Sequence, residues 1–179
     1  MINRFSRDML LFHGSDVRIE VPDLSMSEYG RDFGRGFYLT SDRKQASDWA
    51  KRKANDKYSL THTPFVNSYY LTNFDGLRVK EFQGASKSWL NFILKNRKSD
   101  IGHIEYDVII GKVADDNTRE MILEYERGAF KREAKLLGVT EKDILIRNLH
   151  PENLVDQICI CTEQAKARIP FVKGSVIRW

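Results

Sequence analysis

The sequence predicts an α+β fold, and three observations carry that reading. Short apolar runs of strand length come in adjacent groups, and amphipathic segments of helical spacing separate only some of them. No regular strand–helix–strand alternation appears, which argues against a parallel doubly wound sheet. With 41% apolar and 30% charged residues over 179 positions, the composition is globular and the chain is long enough for a core, so residues 1–179 are expected to form a single domain.

In order along the chain, "MLLFH" (9–13) is a short apolar run bounded by Gly14 and Ser15, and predicts a strand ending at His13. Residues 16–34 lack periodicity and predict a long connection of the kind that forms lids or binding loops. "GFYLT" (36–40) predicts a strand, and the segment from 41 to 57 a helix opened by Ser41 or Asp42, with Ala46, Trp49, Ala50 and Lys53 on one face. "FVNSYYLT" (65–72) and "LRVKEF" (77–82) read as strands around a turn at 73–76. A helix over 86–98, capped by Ser86, would face Trp89, Leu90, Ile93 and Leu94 inward. "YDVIIGKV" (106–113) is an apolar strand. Residues 118–138 carry helical spacing twice around Gly128, with Ile122 and Tyr125, then Phe130, Ala134 and Leu137 inward. "QICIC" (157–161) predicts a strand, "TEQAKARI" (162–169) a short helix started by Thr162, and 171–179 a closing strand.

Several function classes fall away on composition. No apolar stretch is long enough for a membrane helix, and the charged N-terminal segment does not read as a signal peptide, so a cytoplasmic protein without a membrane partner is expected. Cys159 and Cys161 would share one strand face, a poor geometry for a mutual disulfide, and two sulfurs without a nearby histidine make no zinc site. No metal is therefore expected, and both cysteines read as reduced fillers of a strand face. Net charge is +4, with basic groups at 51–53 and 95–98 that read as solvated helix faces rather than a dedicated nucleic-acid surface.

Four features could carry chemistry. His13 stands beside two small residues and reads first as a hydrogen-bonded structural histidine, while His62, His103 and His150 read as surface residues. Gly34 and Gly36 precede a strand bearing Tyr38; such glycines permit a tight bend or the close approach of a ligand. They do not form a dinucleotide fingerprint, because a third glycine is missing (Leu39 stands there) and the strand follows them. Trp49 reads as core or as a flat stacking surface. Gln157 lies opposite Ile158 and Ile160 in the strand alternation and needs polar partners from the protein or a ligand.

The order of "LLFHGS", "FGRGFYLTSD", "ASDWA" and "DQICIC" resembles the ADP-ribosyltransferase superfamily, in the branch with His, Tyr and Glu signatures typified by poly-ADP-ribose polymerases and diphtheria-like toxins. The chain is most similar to a bacterial domain-of-unknown-function family assigned to that superfamily, over almost its whole length, including "YDVIIGKVADD" and a glutamine opening the last signature strand. The resemblance implies a split mixed β-sheet core with flanking helices. It implies NAD as co-substrate, with His13 on the adenosine ribose, the Gly14 backbone on the nicotinamide carboxamide, and Tyr38 and Trp49 bracketing the nicotinamide ring. Gly36 would let the backbone pass close to NAD, and Ser15 would support the turn. Gln157 stands where the superfamily places a glutamate below the ribose; it can accept the 2'-hydroxyl's hydrogen bond but carries no charge. Ala46 stands where the polymerases have a carboxamide-binding serine, and Asp156 and Glu163 are the acids nearest in sequence to Gln157.

The implied reaction cleaves the nicotinamide–ribose bond through an oxocarbenium-like state and transfers ADP-ribose to a macromolecular acceptor, protein or nucleic acid. Proteins of this kind act as toxins or effectors, some held in check by a small partner protein. Two other readings are an NAD-binding module without turnover and an interaction protein that has borrowed the fold.

Overall fold

The computed structural model describes residues 8–99, 105–113, 116–149 and 154–178. The chain is α+β, with two sheets. Strands β1 (Met9–Ser15), β3 (Phe65–Leu71) and β7 (Phe171–Val176) form an antiparallel sheet in the order β1-β3-β7. Strands β2 (Phe37–Leu39), β4 (Val79–Glu81), β5 (Val108–Lys112) and β6 (Asp156–Ile160) form the other, in the order β2-β6-β5-β4, parallel only between β4 and β5. The sheets touch along one seam, where Phe12 and Thr40 exchange backbone hydrogen bonds of 2.8 and 2.9 Å.

Alternation along these strands creates the core. Leu11, Tyr69 and Leu71 of the first sheet meet Phe37, Leu39, Val108, Ile110, Ile158 and Ile160 of the second in an inter-sheet layer. The outer face of the second sheet, at Ile109 and Cys159, is covered by helices α2 (Lys87–Ser99), α3 (Asp116–Glu126), α4 (Lys131–Leu137) and α5 (Glu141–Asn148) through Trp89, Leu90, Ile93, Ile122, Ala134, Ile144 and Leu145. Helix α1 (Arg43–Asn55) covers the outer face of the first sheet, its Ala46 and Ala50 against Val66. A short α6 (Glu163–Lys166), capped by Thr162, leads into β7. No helix among the described residues is long and apolar enough to cross a membrane.

Four local expectations change. Strand β1 continues past His13 to Ser15, because Gly14 and Ser15 keep pairing with Val66 and Phe65. The buried stripe of α1 is Ala46, Ala50 and Ala54; Trp49 and Lys53 flank it half-buried, since small residues are needed where the helix presses on β1. The basic group at 95–98 is split, with Asn96 buried and Arg97 turned inward to Asp32 at 2.7 Å. Leu137 is 52% exposed rather than packed, because α4 ends there at Gly138. Helix α5 is an addition to the sequence reading, opened by a capping box between Thr140 and Asp143. Asp42, not Ser41, caps α1, accepting from the Lys44 and Gln45 N–H groups at 2.7 and 3.3 Å.

Gly14 sets the distance between β1 and α1. A Cβ there would collide with the Ala46 carbonyl oxygen and lie 2.8 Å from the Ala50 nitrogen, both backbone atoms that cannot swing aside. Gly14→Ala should therefore destabilise the fold by about 1–3 kcal/mol, the usual range for overpacking a tight core. Urea unfolding measures it, and a loss below about 0.5 kcal/mol, the scale of a neutral surface substitution, would contradict this packing.

Candidate functional site

His13 and Gly14 lie at the seam between the sheets, whereas Tyr38 and Gln157 lie on the helix-covered face of the second sheet. Residues of an antiparallel pair alternate between donating toward one neighbour and toward the other. Phe12 spends both backbone groups on Thr40, so Gly14, two residues on, aims its N–H and C=O the same way, into a gap that β2 has left. Neither group has a hydrogen-bond partner there among the described residues. Gly14 thus offers an adjacent donor and acceptor at a buried position.

His13 closes the other side of this gap. Its Nδ1 lies 2.7 Å from the Tyr38 carbonyl oxygen, and its ring stacks on Phe37 at 4.4 Å between centroids. A carbonyl only accepts, so Nδ1 carries the proton and Nε2 is left as an acceptor, without a hydrogen bond among the described residues. Burial holds the pKa down to about 4; the Tyr38 hydrogen bond opposes that shift and the charge of Lys53 reinforces it. The imidazole is therefore neutral at physiological pH.

Tyr38 pairs with Cys159 of β6, and its ring lies on the helix-covered face of the sheet. Its hydroxyl donates to the Gly34 carbonyl at 2.5 Å and accepts from the Phe33 N–H at 3.2 Å, which ties the long connection to β2. Burial raises its pKa well above the ordinary tyrosine value, so it is never a phenolate here. Gly36 is explained from within: a Cβ would lie 2.5 Å from Cys159 Sγ and 2.6 Å from the Ile160 oxygen, so the loop can pass over β6 only without a side chain. The Ser15 hydroxyl accepts from Val17 N–H at 3.3 Å and shapes the chain leaving β1.

Gln157 opposes Gly111 of β5 and alternates with Ile158, which puts it on the same face as Cys159 and Tyr38. Its Oε1 is buried and has no hydrogen-bond partner among the described residues. Such an orphan is costly, and it marks a place where a donor belongs. Neither neighbouring acid stands in for it. Asp156 points the other way and pairs with Lys112 at 3.3 Å, and Glu163 is bound to Lys166 at 2.5 Å on the surface.

Trp49 is the least integrated member. It is half-buried on α1, with the Arg52 guanidinium 5.1 Å and the Lys53 ammonium 5.8 Å from its ring centroid. No ring contact joins it to Tyr38. His62 sits in an exposed loop with Nδ1 near the Ala54 carbonyl at 3.1 Å, while His103 and His150 lie outside the described residues. Among the described residues no cluster of three His, Cys, Asp or Glu side chains could hold a metal, and Cys159 and Cys161 are free thiols.

Sequence reasoning missed Phe33. Fully buried, it stacks near Tyr38 at 6.5 Å, and the Asp32–Arg97 ion pair beside it, at 2.7 Å, clamps the 16–36 connection onto α2. The "DFG" ahead of the second glycine was the available signal, since a buried aromatic next to a turn commonly anchors it.

Two sheets joined at one seam, with helices on their outer faces, define an α+β protein. The chain belongs to the family described as "Protein of unknown function (DUF3990)", whose model matches residues 9–171. No curated protein and no solved structure matches it.

The depressed pKa of His13 makes stability depend on pH. Between its unfolded value near 6.5 and its folded value of about 4, the unfolded chain binds a proton that the folded chain refuses. Its contribution is complete above that window and lost as the pH falls through it. After allowance for partial exposure of the ring, the loss should be on the order of 2 kcal/mol. Urea unfolding of wild type and His13→Asn at about pH 7 and about pH 4 isolates it; an equal loss in both proteins would rule out a buried, neutral His13.

Proposed function

We propose that the chain is an NAD-dependent ADP-ribosyltransferase that moves ADP-ribose from NAD to a macromolecular acceptor. The observation that carries the reading is the unpaired N–H and C=O of Gly14 beside a neutral His13, the complement of a carboxamide next to a ribose. The family resemblance of "LLFHGS", "FGRGFYLTSD" and "DQICIC" supports it independently.

In this reading Gly14 donates to and accepts from the carboxamide, and His13 Nε2 accepts from a ribose hydroxyl. Tyr38 and Trp49 offer aromatic faces to the nicotinamide ring. Gln157 Oε1 accepts from the 2'-hydroxyl, which would satisfy its orphaned oxygen. The reaction NAD supplies is departure of nicotinamide from the ribose, with positive charge developing on the sugar. A carboxylate below that sugar would stabilise the charge; the amide of Gln157 offers only its dipole, and a neutral hydrogen bond is roughly half as strong as a charge-assisted one. Turnover should therefore be slow.

The same deficit supports a second reading, an NAD-binding module without turnover, since neither Asp156 nor Glu163 replaces the missing charge. Nicotinamide release from NAD, with candidate acceptors present, separates the two. Wild type should exceed His13→Ala by at least about tenfold, the scale of one lost hydrogen bond to a buried partner. Gln157→Glu should raise NAD hydrolysis by about tenfold or more. Wild type and His13→Ala releasing equal amounts would end the enzyme reading, and thermal stabilisation by NAD would then be the sign of the module.

A further inference from the structure

A cavity outside the seam lies between α2, β4 and the residues entering β5. Its volume is about 330 Å³, at the small end of ligand pockets. Three aromatic side chains form its apolar wall: Phe82, Phe92 and Tyr106. Phe82 and Phe92 are 5.1 Å apart at 54°, and Phe92 and Tyr106 are 6.3 Å apart at 57°. Tilted rings of this kind do not cover one another's faces, and Phe92 and Tyr106 remain half-buried although Phe82 is buried. A further ring can pack against them edge to face or offset, the two arrangements that the aromatic quadrupole favours.

The cations around this wall are already engaged. Lys80 of the edge strand β4 holds its ammonium 5.3 Å from the Phe82 centroid and 6.0 Å from that of Tyr106. The cation that an aromatic wall attracts is thus supplied by the chain itself. Lys95 on the rim has its own interaction within the chain, and Lys142 reaches Asn91 Oδ1 at 2.5 Å. The Glu105 carboxylate differs. It lines the cavity, yet it has neither an ion pair nor a hydrogen bond among the described residues. The Tyr106 hydroxyl likewise has no hydrogen bond among them. Oxygen acceptors therefore stand beside a tilted aromatic wall.

We infer that this cavity binds a small neutral aromatic heterocycle with a ring N–H, of the indole type, packed on Phe92 and Tyr106 and donating that N–H to Glu105. An aliphatic ligand would fill the volume and leave the carboxylate unanswered. An organic cation would meet Lys80 on the same rings, and an acid would meet Glu105. A neutral donor on a flat ring avoids both repulsions, and its bond to an ionised acceptor is roughly twice as strong as one between neutral groups. The site does not depend on the NAD reading. Phe33, with ring centroids 6.5 Å from Tyr38 and 6.3 Å from both Phe82 and Phe92, stands between this cavity and Tyr38.

Calorimetric titration of the full chain with indole tests the inference, with 1-methylindole and cyclohexanol as separate probes. Indole should bind. 1-Methylindole keeps the ring without the donor, and cyclohexanol keeps a donor without the ring, so each should bind at least about tenfold more weakly. Glu105→Ala alters an exposed residue and should weaken indole by about tenfold, at an unchanged melting temperature and with 1-methylindole unaffected. Phe92→Leu, which retains apolar volume but removes the ring face, should weaken both indoles alike; Tyr106→Leu reads the same wall if Phe92→Leu does not fold. Absence of indole binding, cyclohexanol binding as tightly as indole, or an equal loss of both indoles in Glu105→Ala would overturn the assignment. NAD is absent from the titration and no substituted residue belongs to the seam, so failure here is distinct from failure of the NAD reading.

Discussion

The reciprocal hydrogen bond between Phe12 and Thr40 is the constraint on which the rest of this structure hangs. It is where two sheets of different topology meet, with α1 on the outer face of the first and α2 to α5 on the outer face of the second. Because the strands pair at one position and then part, the next residues in phase are left with directed but unused backbone groups. Gly14 is the residue so exposed on β1; on β2 the corresponding oxygen belongs to Tyr38 and has been taken by His13. A longer β1–β2 ladder would have consumed both. At Gly14 β1 also packs so closely on α1 that no side chain is admitted.

Electrostatics at the seam follow from that geometry. His13 is half-buried and spends its one N–H on a carbonyl, so protonation would require a second donor with nowhere to donate except the cleft. It is thereby fixed as a neutral acceptor, suited to hydroxyls and unsuited to anions. Gln157 Oε1 is another neutral acceptor, but on the face of the second sheet opposite Phe37 and the His13 ring.

What the sequence disclosed is what local chemistry encodes. His13, Tyr38 and Gln157 stood out because each broke an apolar strand pattern, and Gly36 because a glycine was unexpected beside it; His13 comes to the seam, while Tyr38 and Gln157 share the helix-covered face of the second sheet. The strands and the helices around Trp49, Trp89 and Ile122 followed from period and caps. The reasons given for particular residues fared less well. Gly36 was assigned to ligand approach, yet Cys159 and Ile160 already demand it. The open backbone of Gly14 depends on where a strand 26 residues away diverges, which no local window contains. Helix α5 was legible in the Thr140–Asp143 box but lay beyond a glycine that had closed the preceding helical pattern. Trp49 was placed on the buried face because tryptophan is usually core; the alanine stripe, set by contact with Gly14, displaced it to the flank.

Phe33 anchors the connection over residues 16–36 between β2 and α2. Its ring is wholly buried, and its neighbours are Tyr38 on one side and Phe82 and Phe92 on the other. Its own backbone donates to the Tyr38 hydroxyl, and the adjacent Asp32 is clamped by Arg97 of α2. Breaking the partly buried Asp32–Arg97 pair would leave an uncompensated charge, so the connection is held at this point. The connection over residues 16–36 is thus a splint between α2 and β2 more than a free lid.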